Sequence, residues 1–129
     1  MKLKLTLLAC IFTTVLHAQE IRKSGSIFGY IESNGDVRIS GSIKGKFETN
    51  GDIRVNGSIK GQVERSGTIR KNGSIVGNVE NDGTVRLNGS IVGKIETDGT
   101  VRKNGSIVGS AKGVQKEQAA VLFFFGFFE

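Results

Sequence analysis

The stretch "GSIVGKIETDGTVRKN" at 89–104 decides the fold, because the chain says it again and again. Near copies begin at Gly25, Gly41, Gly57 and Gly73, and a half copy, "GSIVGSAK", begins at Gly105. The complementary half stands in front, where "EIRKS" at 20–24 matches "TVRKN". A half, five wholes and a half make six equivalents of one 16-residue unit. Self-similarity at a fixed period marks one supersecondary unit used as an array.

Each unit holds two Asx/Ser-Gly turns, one like "TDG" (97–99) and one like "KNG" (103–105). Read as three-residue loops, a type I turn followed by a left-handed glycine, both give hairpins with a G1 bulge. "SIVGKIE" is then a long strand and "TVR" a short one, with Ile95 opposite Val101 and Val101 opposite Ile107. Two-residue loops would set Ile95 against Arg102 and mix the two faces, so three-residue loops are expected. The inward set becomes Ile27, Gly29, Ile31 and Val37. It recurs as Ile43, Gly45, Phe47 and Ile53, then Ile59, Gly61, Val63 and Ile69. Ile75, Gly77, Val79 and Val85, then Ile91, Gly93, Ile95 and Val101, complete it. Ser, Lys, Glu, Thr or Asp, and Arg point outward, as in an antiparallel meander buried on one face.

Six short and six long strands make about twelve. The first, centred on Ile21, and the last, centred on Ile107, lack partners until they pair with each other. That pairing closes the sheet and removes both edges. The expected fold is all-β: a closed, shallow antiparallel barrel, too wide for Ile and Val side chains to fill. "VQKEQAAVLFFFGFFE" at 114–129 supplies the filling, being polar in its first turn and then apolar on every side, the pattern of a buried helix. The inward glycines at 29, 45, 61, 77, 93 and 109 leave room for its phenylalanine rings. The expected layout is a signal segment at 1–18, the repeat barrel at 19–112 and a central hydrophobic helix at 113–129.

At the front, Lys2 and Lys4 precede an apolar stretch from Leu5 to Leu16 and a small-residue exit at Ala18. This is the pattern of a secretory signal cleaved before Gln19, and it predicts export to the periplasm, outer envelope or exterior. "LLAC", ending at Cys10, offers a lipoprotein alternative on a shorter apolar run. Cleavage after Ala18 would remove Cys10 and His17, the sole cysteine and histidine. No thiol nucleophile, imidazole base, disulfide or typical zinc ligand would then remain, so neither metal nor cofactor is expected. The net charge would fall to +4, with 16 basic against 12 acidic residues. That balance, without an RNP, helix-turn-helix or zinc-finger pattern, argues against nucleic acid as a partner.

The tandem "GSIxGxIExDGTVRxN" pattern over residues 20–129 resembles the small bacterial proteins called β-flowers. The resemblance implies hairpin petals in a shallow barrel around a hydrophobic C-terminal helix. More distantly, twelve strands around a central helix look like the Tubby C-terminal domain and the phospholipid scramblases. That likeness is one of architecture, and lipid binding enters through it by fold analogy.

Arg22, Arg38, Arg54, Arg70, Arg86 and Arg102 hold one repeat position and should form an outward ring. Such a ring suits an anionic headgroup or polysaccharide. The plainer reading pairs it across the hairpins with Glu32, Glu48, Glu64, Glu80 and Glu96. Asp36, Asp52, Asp82 and Asp98 fall at the turns, where side-chain capping of the backbone explains them better than calcium. Phe28 and Tyr30, in the first repeat only, form a candidate apolar contact on the outer face, together with a column of Val76, Val92 and Val108. Near-identical units offer no unique constellation of nucleophile, base and oxyanion donors, so an enzyme is not expected. The reading that follows is a monomeric, exported barrel that binds lipid, glycan or protein at the cell envelope. The alternative is a self-assembling structural protein, the repeat being a solenoid that stacks into filaments as in a bactofilin.

Overall fold

The computed structural model describes residues 19–128. Strands alternate short and long from β1 (Gln19–Lys23) and β2 (Ser26–Ile31) through β3 (Asp36–Ile39), β4 (Ser42–Phe47), β5 (Asp52–Val55) and β6 (Ser58–Val63). They continue as β7 (Thr68–Lys71), β8 (Ser74–Val79), β9 (Thr84–Leu87), β10 (Ser90–Ile95), β11 (Thr100–Lys103) and β12 (Ser106–Ser110), followed by helix α1 (Lys116–Phe124). The twelve strands form a closed barrel in which each pairs antiparallel with its chain neighbours. β1 meets β12, with Arg22 opposite Ser110 and Lys23 opposite Gly109, so the two half-repeats complete each other. The expected closed antiparallel barrel is the fold, and a parallel solenoid is not.

The two kinds of turn differ, which corrects the expectation of one loop type throughout. The "TDG" turns are three-residue loops with a left-handed third residue, Gly99 having φ 93°. Gly99 N donates to Glu96 O at 2.9 Å and Glu96 N to Thr100 O at 2.8 Å. The "NG" turns are two-residue loops with positive φ at both positions, 50° at Asn104 and 87° at Gly105. That is the type I′ geometry, whose twist matches the flanking strands, and Asn-Gly is its strongest sequence signal. The shorter loop throws the register off by one residue, and a bulge in the long strand restores it. Across β3–β4, Val37 faces Gly45 but Arg38 faces Ile43, and Lys44 is the extra residue. The same shift recurs in all the other hairpins of this kind.

The bulge divides the expected inward set. Val37 and Gly45 stay inside, whereas Ile43 turns onto the outer face beside Arg38. The core is therefore built from the short-strand centres Ile21, Val37, Ile53, Ile69, Val85 and Val101, and from Ile31, Phe47, Val79 and Ile95 on the long strands. Ala119, Ala120, Val121 and Leu122 of α1 are buried against them.

The chain beyond Leu122 packs its rings on the wall in strict order. A Cβ placed on Gly109 would stand 2.8 Å from Phe123, on Gly93 2.5 Å from Phe124, and on Gly77 2.7 Å from Phe125. On Gly61 it would stand 2.5 Å from Phe127 and on Gly45 2.5 Å from Phe128. Each ring thus takes the space left by one repeat's missing side chain. The helix expected to run to the end stops at Phe124, and Gly126 follows with φ 64°. A continued helix would bring residue i+4 back to the face of residue i, so Phe127 would return to the sector of Phe123. Leaving the helix lets Phe127 and Phe128 reach new repeats, where Phe128 also meets Phe47 edge-on at 5.8 Å. In the remaining sector, at Gly29, Phe28 of the wall packs against the core. Lys23 Nζ lies 3.9 Å from the centre of the Phe28 ring and 5.4 Å from that of Phe123.

Candidate functional site

The short strands present their arginines on the outer wall, and the hairpin register decides what each one meets. Arg38 lies opposite Tyr30 across β2–β3, one step from the loop that begins at Glu32. Its Nε donates to the Glu32 carboxylate, and the repeat carries this pair to Arg54–Glu48. Arg70–Glu64, Arg86–Glu80 and Arg102–Glu96 follow at 2.5 Å each. In the leading half-repeat Arg22 turns to Glu20 instead, at 3.0 Å. The Nη1 of each arginine donates to the glycine carbonyl of the adjoining Asn-Gly or Ser-Gly turn, as Arg70 does to Gly73 O at 3.0 Å. Each guanidinium is tied at two points and its charge is balanced, so the ring is a laced wall. The arginine side chains remain 35–43% exposed, so water screens these pairs and each contributes only up to about 1 kcal/mol.

The loop aspartates serve the backbone. Asp82 Oδ1 accepts from Thr84 N at 2.9 Å and Asp98 Oδ1 from Thr100 N at 3.0 Å. Those N–H groups, with the threonine hydroxyls next in weight, hold both carboxyls below their ordinary value of 3.8. Asn34 and Asn50 take the same role, and Asp36 and Asp52 accept from their amide groups at 3.2 Å. Among the described residues no cluster of His, Cys, Asp or Glu could hold a metal.

Of the two candidate aromatic contacts, Tyr30 is 37% exposed and Phe28 is partly buried. Val76, Val92 and Val108, expected to point outward, also pack against the core. The apolar groups that do face water are the six isoleucines turned out by the bulges: Ile27, Ile43, Ile59, Ile75, Ile91 and Ile107, exposed by 46–61%. They form a belt near the Asn-Gly tips, each opposite an arginine of the ring. Sequence reasoning placed them inside. The Asn-Gly and Ser-Gly pairs, read as two-residue loops needing a compensating bulge, were the signal that could have placed them outside.

At the other end an open cleft of about 1010 Å³ separates the start of α1 from the loops after β2, β4 and β6. Apolar Ile31, Phe47 and Val63 line it together with polar Asn34, Asn50, Gln115 and Gln118.

A family model described as "Bactofilin: Polymer-forming cytoskeletal" matches residues 41–120, from the second full repeat into α1. The chain belongs to the bactofilin family. No curated protein and no solved structure matches it. The family is described as polymer-forming, which favours the self-assembling structural alternative over a monomeric envelope-binding module. It also corrects the expectation of export, because a cytoskeletal bactofilin acts within the cell. The residues that carried that expectation, 1–18, lie outside those the structure describes.

Proposed function

We propose that this bactofilin is a self-assembling structural protein whose unit is the closed barrel. The match over 41–120 to a polymer-forming family carries the reading. In the barrel every described strand has partners on both sides, so copies cannot join by adding strand to strand. Assembly therefore runs through side-chain surfaces. Within this reading residues 19–112 are the wall and 113–129 the plug, as in the β-flowers the repeat resembles. The arginine ring braces the wall. Lipid or glycan binding rests on architecture alone, and no contact of this chain favours it.

Purified protein examined over a wide concentration range by sedimentation and electron microscopy tests the proposal. Polymers are expected. A species that stays monomeric at every concentration, in cell extract as well as in buffer, would sink it.

A further inference from the structure

We infer that the isoleucine belt is the surface through which copies of this chain meet, wall against wall. The inference rests on the self-assembly reading and names its contact.

Among the described residues seven large hydrophobic side chains are exposed, and six of them are this one repeat position. The position is Ile in every unit, although it lies outside the core. The next outward position on the same strands varies freely, as Tyr30, Lys46, Gln62, Asn78, Lys94 and Ser110. A demand for β-branched shape alone would accept Thr or Val, which are common strand residues. What all six share is an exposed aliphatic surface. Together they show on the order of 600 Å², the upper end of what a typical monomer leaves open.

The surroundings suit burial against another protein. Each isoleucine sits opposite an arginine whose head is already bonded to a glutamate and a turn carbonyl, as with Ile75 and Arg70. Covering the isoleucines therefore leaves no arginine of the ring unpaired. A bilayer fits less well: the polar Ser/Asn-Gly-Ser tips lie beyond the belt on the same hairpins, and the belt circles the barrel. Only the tips could reach a planar membrane, and they would have to lose their water first. A second copy needs no such dehydration.

The belt also fixes the kind of assembly. One side of the barrel can offer two or three isoleucines, far less than the roughly 1,200–2,000 Å² of a stable pairwise interface. A single contact is weak, but a ring of them lets one copy touch several neighbours, and multivalent contact strengthens the whole. The expected product is a polymer with a threshold concentration, with little dimer.

The test compares the full chain with Ile59→Thr/Ile75→Thr/Ile91→Thr, which keeps β-branching while removing apolar surface. Supporting the inference, the variant melts within a few degrees of the parent and needs at least tenfold more protein to assemble. Assembly at the parent's threshold overturns it and leaves the self-assembly proposal standing. If the parent never assembles, both fall. Should the parent stay monomeric and float with phosphatidylglycerol vesicles through these isoleucines, the belt is a lipid surface and the inference is overturned. A single Ile59→Cys in a Cys10→Ser background guards against misfolding of the triple variant. A short thiol crosslinker should join copies through Cys at that position in the polymer, and intact polymer without crosslinks counts against the belt.

Discussion

Phe124 stands where a side chain on Gly93 would have to go: a Cβ there would lie 2.5 Å from its ring and closer still to the Arg102 carbonyl oxygen. Gly93→Ala should therefore lose about 1–3 kcal/mol, since neither a packed ring nor a backbone carbonyl can easily give way. Gly57 is the control. Its Cβ would meet open space, and Gly57→Ala carries only the strain of φ 87°, about 1–2 kcal/mol. Denaturant melts should rank Gly93→Ala as the less stable, and also show it binding more hydrophobic dye. The reverse order would mean that the ring does not seat on the glycine.

The tail is the larger dependence. Phe125, Phe127 and Phe128 are buried, with Phe123 and Phe124 partly so. At about 2–3 kcal/mol per buried ring, their gross contribution is comparable with the whole net stability of a small domain. Truncation after Gly113, or Phe124→Asp with Phe125→Asp, should abolish cooperative unfolding by circular dichroism. A truncated chain that still melts cooperatively would show that the wall stands without its plug.

Four of the six type I′ loops carry Asn at the left-handed position, while Ser24 and Ser40 hold φ 51° and 53° there. Asn tolerates this region better than Ser. Ser24→Asn and Ser40→Asn should each stabilise by about 0.5 kcal/mol, read as a higher denaturation midpoint at unchanged slope. No shift in either variant would mean that the loops are already relaxed.

Acid should weaken the barrel partly through its loops. The Asp82 and Asp98 carboxyls are held below 3.8 in the folded chain by the Thr84 and Thr100 N–H groups. A folded pKa below the unfolded one gives stability that is full above about pH 4 and is lost as pH falls through the folded value. The melting temperature should drop on acidification below pH 4, and Asp82→Asn/Asp98→Asn should make that drop shallower. Identical profiles for parent and variant would remove these two residues from the acid response.

The closed barrel, its strand count and its plug were legible because period, half-repeats and an all-round apolar tail are patterns of composition. The loop types were less so. "NG" and "TDG" differ by one residue, and the choice between them propagates through a bulge to put Ile43 on the opposite face from Val37. One local decision thus hid the belt. The end of α1 was hidden for another reason: an all-round apolar tail has no period to mark a stop, and the spacing of Gly77, Gly61 and Gly45 around the wall, with Gly126 at φ 64°, takes the chain out of the helix. The isoleucines of "GSI" carried no mark of exposure, since a short apolar residue beside a turn reads as core until the register is known.

The ordered seating of five rings on five glycines makes the C terminus a tally of the wall. Tandem copies of a 16-residue unit are easily gained or dropped when their gene is replicated. Here a seventh unit would widen the ring and open a sector with no phenylalanine to close it. The loss of one would leave a ring without a seat. Copy number and tail must change together, so a sequence that looks free to grow is held to one size.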